Sequence, residues 1–535
     1  MQLSHWLLVR QRKSFYVALA ALLSIFFIFD QTSIHLVRGM QHSTFDWLLS
    51  HRLNYRTPDR DIVIVDIDDA SLAAMSDRYG RWPWPRDVMA KVLTGLMQVQ
   101  PKVVVFDIVF SEKDRANPAS DALFAQAVAA SPNVFVPMVL LDDLDPHKSP
   151  APGVPTAQPS TSTAKTETQL AVLQPFFSSE IRPGQLGTNN VEPDQDGVIR
   201  RFELFQERSG WRLSSIAEQV RQSLAAPAPA DNSILLNWRG GAFSYPFVSF
   251  STVASLIEQG NTTRLQKDFH GKVILIGSTA ASLFDIRSTP MAKVHPGVEI
   301  LATVIDNLKN ADDLREPPAW LKAVLSVAFV FLLAWMFHNQ RHTYVSDVLF
   351  FGLQLLLLAT AFVAFNLGHL YIDMSVPITA GLVYFTIARA HAALAETALV
   401  NHYRFFITPA PGDPVTVGVL ALNLPENAGL DEALAKSRFG ASRVLGLFAA
   451  SKVLAPAMEN TALVYWLVNQ QDSQKIREDA AQLQIQLGQA ATTPVFMGEC
   501  VWSKKHGAGQ ITQDLCLRAL AYTGSKAAAA RDGPA

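Results

Sequence analysis

Three long apolar stretches follow one another between residues 319 and 393, and they constrain this chain more than any other feature. They cover about Ala319–Phe337, Val345–Asn366 and Met374–Ala393. Each approaches the ~20 residues a helix needs to cross the hydrocarbon core of a bilayer. The turns between them, His338-Asn-Gln-Arg-His-Thr-Tyr344 and Leu367-Gly-His-Leu-Tyr-Ile-Asp373, are short. A fourth and shorter stretch, Ser14–Phe29, follows Arg10, Arg12 and Lys13. A cleavable signal peptide is the rival reading there. Phe26-Phe-Ile-Phe-Asp-Gln31 offers no small-x-small cleavage site, so residues 14–36 are assigned as an uncleaved first membrane helix. With 49% hydrophobic and only 17% charged residues, the chain is too apolar for an ordinary soluble protein of its length.

Arg341 is the only Lys or Arg in the two turns. The positive-inside bias therefore puts residues 1–13 and the 338–344 turn in the cytoplasm. Four membrane helices (14–36, 319–337, 345–366 and 374–393) then return the C-terminal part to the cytoplasm. Residues 37–318 lie outside, which in a Gram-negative cell is the periplasm. The net charge of −2 gives no reason to expect nucleic acid. The two cysteines, Cys500 and Cys516, lie far from the outside region and have no metal-type spacing. No cofactor and no metal is expected.

Within 37–318, β-type apolar runs recur at Ile62–Ile67, Val103–Phe110, Val134–Leu140, Ile234–Asn237 and Val273–Gly277. Helical patterns over Arg86–Gln98, Asp121–Ala130 and Leu213–Leu224 fall between them. Strands alternating with helices predict an α/β domain, a mainly parallel sheet with helices on its faces. Residues 142–168, rich in Pro, Ser, Thr and Ala, read as a disordered loop. Pro193-Asp-Gln-Asp-Gly197 is a turn signal before a hairpin strand, Val198–Gln206.

In open α/β sheets, ligands bind beyond the carboxyl ends of the strands. Asp66, Asp68 and Asp107 end such strands, Ser278 and Thr279 follow another, and Asp285, Arg287 and His295 come next. Trp82-Pro-Trp-Pro-Arg86 is a stiff aromatic loop, so Trp82, Trp84 and Arg86 are candidate walls of a small-ligand pocket. The bland alternative is that this loop plugs the sheet while the carboxylates cap helices and pair with arginines. No nucleophile elbow, HExxH or Walker pattern is present, and no catalytic residue is assigned.

After a linker helix over 394–414, residues 415–535 alternate strand and helix: Val415–Leu424, Leu430–Phe448 (helix), Ala462–Asn469, Asp472–Leu487 (helix), Thr493–Trp502 and Ile511–Ala530 (helix). This is a small α/β cytoplasmic domain. Kinase signatures are missing from it.

Ordered blocks carry a family resemblance. Phe45-Asp-Trp-Leu48, Arg52, Pro58, Ile64-Val-Asp-Ile-Asp68, Gly80-Arg-Trp-Pro-Trp-Pro-Arg86, Phe106-Asp-Ile-Val-Phe110, Pro193-Asp-Gln-Asp-Gly-Val-Ile-Arg-Arg201, Gly271–Thr279 and Pro296-Gly-Val-Glu-Ile300 resemble the CHASE type 2 sensory domain. The resemblance implies an extracellular sensor of a bacterial receptor, followed by three membrane helices and a cytoplasmic output domain. The tail is weakly similar to a GGDEF diguanylate cyclase. The strand that resembles the family's metal-binding one reads Gly418-Val-Leu-Ala-Leu-Asn-Leu424, and the signature turn falls at Glu459-Asn-Thr-Ala-Leu463. The strand lacks the metal-binding Asp and the turn lacks the glycines that let a nucleotide approach, so the tail reads as a non-catalytic, degenerate cyclase-like domain. The implied protein is an inner-membrane sensory receptor or scaffold, working as a homodimer in lipid. Its partners would be an unknown periplasmic ligand or protein and an unknown cytoplasmic protein. The rivals are an active nucleotide cyclase and a structural subunit of an envelope or exopolysaccharide secretion complex.

Overall fold

Runs of Val and Ile that are apolar on both faces become parallel strands when helices cover both sides of a sheet. The computed structural model of this protein has that arrangement. It describes residues 12–30, 37–141, 149–150, 158–159, 169–208, 210–283, 285–338, 343–403, 412–423, 444–449, 461–469, 473–486, 493–502, 514–515, 518–519 and 521–522. The chain divides into two compact units, one of Met40–Pro317 with Thr360–Asp373, the other of Met1–Gly39, Pro318–Ala359 and Met374–Ala535.

Among the described residues the first elements are the helices α1 (Arg12–Phe29) and α2 (Arg38–Ser50). The α/β unit then runs β1 (Ile62–Asp66), α3 (Asp69–Tyr79), α4 (Arg86–Met97), β2 (Val103–Phe106), α5 (Pro118–Ala130), β3 (Val134–Leu140), β4 (Val172–Leu173), β5 (Leu186–Thr188) and α6 (Ile216–Ser223). It continues with β6 (Phe247–Ser249), α7 (Phe250–Glu258), α8 (Thr262–Phe269), β7 (Val273–Gly277), β8 (Ile286–Arg287), β9 (His295–Pro296) and α9 (Gly297–Asn310). The main sheet has the order β6-β1-β7-β2-β3, with β5 parallel and β4 antiparallel to β3. Ile64 lies opposite Leu275 on one side and Phe247 on the other.

Alternation along the strands divides the core in two. Val63, Val65, Val104, Phe106, Ile274 and Ile276 pack with residues of α4, α5 and α7. Ile62, Ile64, Val103, Val105, Val273 and Leu275 pack with residues of α6 and α9. The expected mainly parallel sheet with helices on both faces is thus present in this unit.

Several boundaries differ from the sequence reading. The Val103–Phe110 run leaves the ladder after Phe106. Ser233–Leu235 pairs antiparallel with Arg201–Glu203 and stands outside the main sheet. The helix expected from Leu213 starts at Ile216, because the Ser215 side chain caps it by accepting the Glu218 N–H. Trp211–Ser214 is instead a strand paired with Phe205–Arg208. The hairpin strand expected over Val198–Gln206 is split between Arg201–Glu203 and Phe205–Arg208. Of the 142–168 segment only 149–150 and 158–159 are among the described residues. Both sit in short antiparallel ladders, 149–150 with Gln169–Leu170 and 158–159 with Trp211 and Arg212.

In the other unit, α10 (Ala319–His338), α11 (Thr343–Gly368, its last turns belonging to the α/β unit) and α12 (Ser375–Tyr403) follow. Among the described residues two segments are long and apolar enough to cross a membrane, Trp320–His338 and Ser346–Gly368; Ser14–Phe29 is a shorter apolar helix. α1 packs on α10 and α12 through Tyr16, Leu23, Leu333, Phe337 and Tyr384. α12 continues past residue 393, so the start of the expected linker is one helix with the last apolar stretch.

The tail holds β10 (Pro414–Asn423), β11 (Val444–Ala449), β12 (Thr461–Asn469), α13 (Ser473–Gln486) and β13 (Phe496–Val501). Its strands form one antiparallel sheet in the order β11-β12-β10-β13. The helix expected over Leu430–Phe448 is contradicted at its end, where residues 444–448 lie in β11 and meet their backbone partners on β12. Residues 430–443 and most of the expected closing helix lie outside the described residues.

Gly187 tests the seating of α6 on β5. A Cβ there would overlap the backbone of Ile216, which cannot swing away as a side chain could. Gly187→Ala is expected to cost about 1–3 kcal/mol in chemical denaturation of the full-length protein; wild-type stability would show that this close approach is not made.

Candidate functional site

The ends of β2 and β3, the segment after β5, the hairpin β8–β9 and the first turns of α9 border a cleft of about 320 Å³. Asp107 follows β2, and its N–H donates to the Ile276 carbonyl at 2.8 Å, which fixes the residue at the sheet edge. The Asn189 side-chain amide donates to Asp107 Oδ1. Asn190 is committed elsewhere: its amide bonds both the N–H and the carbonyl of Leu140 at 2.8 Å. Asp285 and Arg287 reach the cleft from the hairpin, and Val139, Val191 and Ile300 give it apolar walls. The Gly297 N–H donates to the Asp285 carbonyl at 3.0 Å, and a Cβ on Gly297 would collide with the Asp285 carboxylate. Glycine at that position is what lets the carboxylate sit against the start of α9.

Burial, and then the nearby Asp285 carboxylate, push Asp107 up to about 7, against the Asn189 hydrogen bond and the Arg287 charge. Burial raises Asp285 as well, with Arg287 opposing. Two acids that resist sharing negative charge, beside one guanidinium and under apolar walls, suit a small polar ligand that carries a cationic group.

The other sequence candidates lie elsewhere. Asp66 accepts from the N–H (2.8 Å) and the hydroxyl (2.6 Å) of Thr279, and Ser278 donates to the Ile67 carbonyl at 2.8 Å. These bonds stitch the loop after β7 to the end of β1. Asp68 caps α3 by accepting the Ser71 N–H at 2.7 Å and also accepts from the Ser249 hydroxyl at 3.0 Å. Trp84 is only 1% exposed and stacks on Phe250 at 5.4 Å, with Trp82 edge-on to it at 5.0 Å. The Arg86 guanidinium lies 5.1 Å from the centre of the Phe110 ring. Trp82, Trp84 and Arg86 therefore belong to the core on one face of the sheet and do not line this cleft, as the plug alternative anticipates. His295 is buried against Trp238, bonded to Thr289 Oγ1 at 3.1 Å and 3.2 Å from Glu299. The structure thus brings together Asp107, Asp285 and Arg287. The sequence reading missed Asn189, whose only signal is a polar pair just after a three-residue strand.

A second group, His42, Asp194 and Asp196, has metal-type proximity. Arg200 already fills it, donating to Asp194 at 2.8 Å and to Asp196 at 2.7 Å while pairing with Asp46 at 2.7 Å.

The chain thus combines a parallel-sheet domain, with a polar cleft at its strand ends, and apolar helices of membrane-spanning length. The chain belongs to the CHASE2 domain family, whose model matches residues 18–338. CHASE2 domains are extracellular sensors, and with two candidate membrane spans the match supports a membrane-bound sensor. No curated protein and no solved structure matches the chain.

Two outcomes follow from this geometry. Trp84→Ala is expected to destabilise the protein by about 3–5 kcal/mol in thermal unfolding, and a near-neutral effect would remove Trp84 from the core. The raised Asp107 means that the folded state holds this proton more tightly than the unfolded chain. Its contribution to stability is present at low pH and is lost as pH climbs from about 4 to about 7. Across that window, wild type is expected to lose stability relative to Asp107→Asn in denaturant titrations; a constant difference would show that Asp107 ionises normally.

Proposed function

We propose that this protein is an inner-membrane receptor that takes a small ligand in the Asp107–Asp285–Arg287 cleft and relays its presence to a cytoplasmic interaction domain. The cleft carries the reading. It lies where open α/β sheets bind ligands, and its acids are left without a full complement of counter-charge. The ligand is small and polar, with an amine or another cationic group to meet the acids; a carboxylate on it would meet Arg287. The outside domain faces the periplasm, four helices cross the membrane, and two chains act together.

The tail binds a partner and performs no chemistry. Its strand order β11-β12-β10-β13 is the antiparallel order of a split βαβ sheet, which supports kinship with cyclase domains. The strand that would carry a metal-binding acid ends in Asn423. Ligand binding outside shifts the balance between two arrangements of the helices, and the tail changes its contacts accordingly.

Thermal unfolding of the full-length protein with a panel of free amino acids and small amines tests the cleft. A ligand at about 100 times its Kd adds about 2.7 kcal/mol, a shift of several degrees. The shift is expected in wild type and lost in an Asp285→Asn/Arg287→Ala variant; a shift that survives in the variant, or none across the panel, speaks against this cleft. The same full-length protein with GTP or ATP and Mg²⁺ is expected to yield no cyclic nucleotide, and any product would make the tail an enzyme.

A further inference from the structure

The turn between α11 and α12 is built into the sensory unit. Phe365 is fully buried there, and Phe45 meets it edge-on at 6.4 Å and Tyr371 at 5.1 Å. The backbone of Arg315 accepts the Tyr371 N–H at 2.8 Å and donates to the His369 carbonyl at 3.1 Å. The Tyr371 hydroxyl donates to the Gln41 carbonyl at 3.1 Å. Asn366 Oδ1 accepts the Leu53 N–H at 2.8 Å.

One side chain closes this hook. Arg52 is buried, with its guanidinium 5.2 Å from the centre of the Phe365 ring. Its Nη1 donates to Asn237 Oδ1 and its Nη2 meets His369 Nδ1, both at 2.6 Å. A guanidinium can only donate, so Nδ1 must accept and the ring must be neutral, with its proton on Nε2. The charged groups facing His369 are Arg52, Arg56, Arg239 and Asp312. The three guanidiniums outweigh the one carboxylate, because Asp312 is itself paired with Arg56 and Arg239.

We propose that residues 360–373 form a proton-sensitive latch of the sensory domain: Arg52 holds the turn through neutral His369, and a proton on His369 opens the hook. The proton would occupy the atom that accepts from Arg52 and set two cations face to face. Burial, then Arg52, Arg56 and Arg239, hold His369 below the ordinary histidine value. The latched state therefore binds the proton more weakly than the released state. Latching is complete above about 6.5, the free histidine value, and weakens as pH falls below it. Phe365 and Tyr371 keep their apolar seats, so opening is local to residues 366–370 and the Leu53 amide. This requires no ligand in the Asp107 cleft and stands or falls apart from the receptor reading.

The test is hydrogen exchange on the full-length protein in lipid nanodiscs at about pH 7.5 and about pH 5, either side of the histidine value, corrected for intrinsic rates. Losing a hydrogen bond to a charged group costs about 1.5–3 kcal/mol, so protection at Leu53 and residues 366–370 is expected to fall about tenfold or more at the lower pH. His369→Gln, whose Oε1 accepts without titrating, is expected to stay protected at both. Arg52→Met is expected to exchange fast at both. The proposal is overturned if wild-type protection does not change with pH, or if the fall persists in His369→Gln. Should His369→Gln lie open at both pH values, Arg52→Met decides: flat, low protection sustains the latch, and a remaining pH dependence ends it.

Discussion

Arg239 sets the terms for one end of the sensory domain. Its side chain is 2% exposed, and its Nη2 donates to Asp306 Oδ1 at 2.6 Å and to Asp312 Oδ1 at 2.7 Å. A buried guanidinium costs several kcal/mol unless it is paired, so the two carboxylates are obligatory. They come from the last turns of α9 and from the segment after it. Holding both on one cation forces the chain to turn at Ala311, which adopts a left-handed conformation. Asp306 is then used again, accepting from the Tyr245 hydroxyl at 2.8 Å and from the Asp59 N–H at 3.0 Å. The Asn307 side-chain amide bonds both the backbone N–H and the carbonyl of Asn237, and the Asn237 side chain passes the network on to Arg52.

The cleft and this network share one element. Gly297, Ile300 and Leu301 of α9 border the cleft, while Asp306 and Asn307 of the same helix sit in the network. The helix has 14 residues, about 21 Å at 1.5 Å per residue. Its apolar face is buried along its length against β1 and β7, which leaves it little freedom to bend. The helix therefore joins the cleft at one end to the charge network at the other as a single rigid element.

Much of the sheet was legible because parallel strands announce themselves locally. Val134–Leu140 and Val273–Gly277 match the observed strands to the residue, since each is an unbroken apolar run. β5 and β6 were not legible, being three residues each and carrying Gly187 and Ser249. The tail misled at 444–448, where a short apolar run fits a helix or a strand equally well and the ladder with β12 decides. Of the candidate site, the strand-end rule located Asp107, Asp285 and Arg287. It also collected Asp66, Asp68, Ser278 and Thr279, whose partners are supplied by the fold itself. Nothing in a sequence distinguishes a strand-end carboxylate that meets a backbone N–H from one that faces open space.

The same limit explains why the most distinctive blocks turn out to hold the fold together. Asp194-Gln-Asp-Gly-Val-Ile-Arg200 reads as a turn and a strand start, yet its two aspartates clamp Arg200, whose side chain is 4% exposed. The far side of that guanidinium grips Asp46 on α2, which lies 154 residues away in the chain. Arg52 likewise joins Asn237 and His369 across separations of 185 and 317 residues. Each pairing draws together parts of the chain that no local pattern relates, and each would leave a buried charge stranded if the parts came apart. Charge burial of this kind is poor at raising stability but severe on misassembly. In a domain assembled from distant segments, it makes the turn before α12 as much a part of the sensor as the sheet.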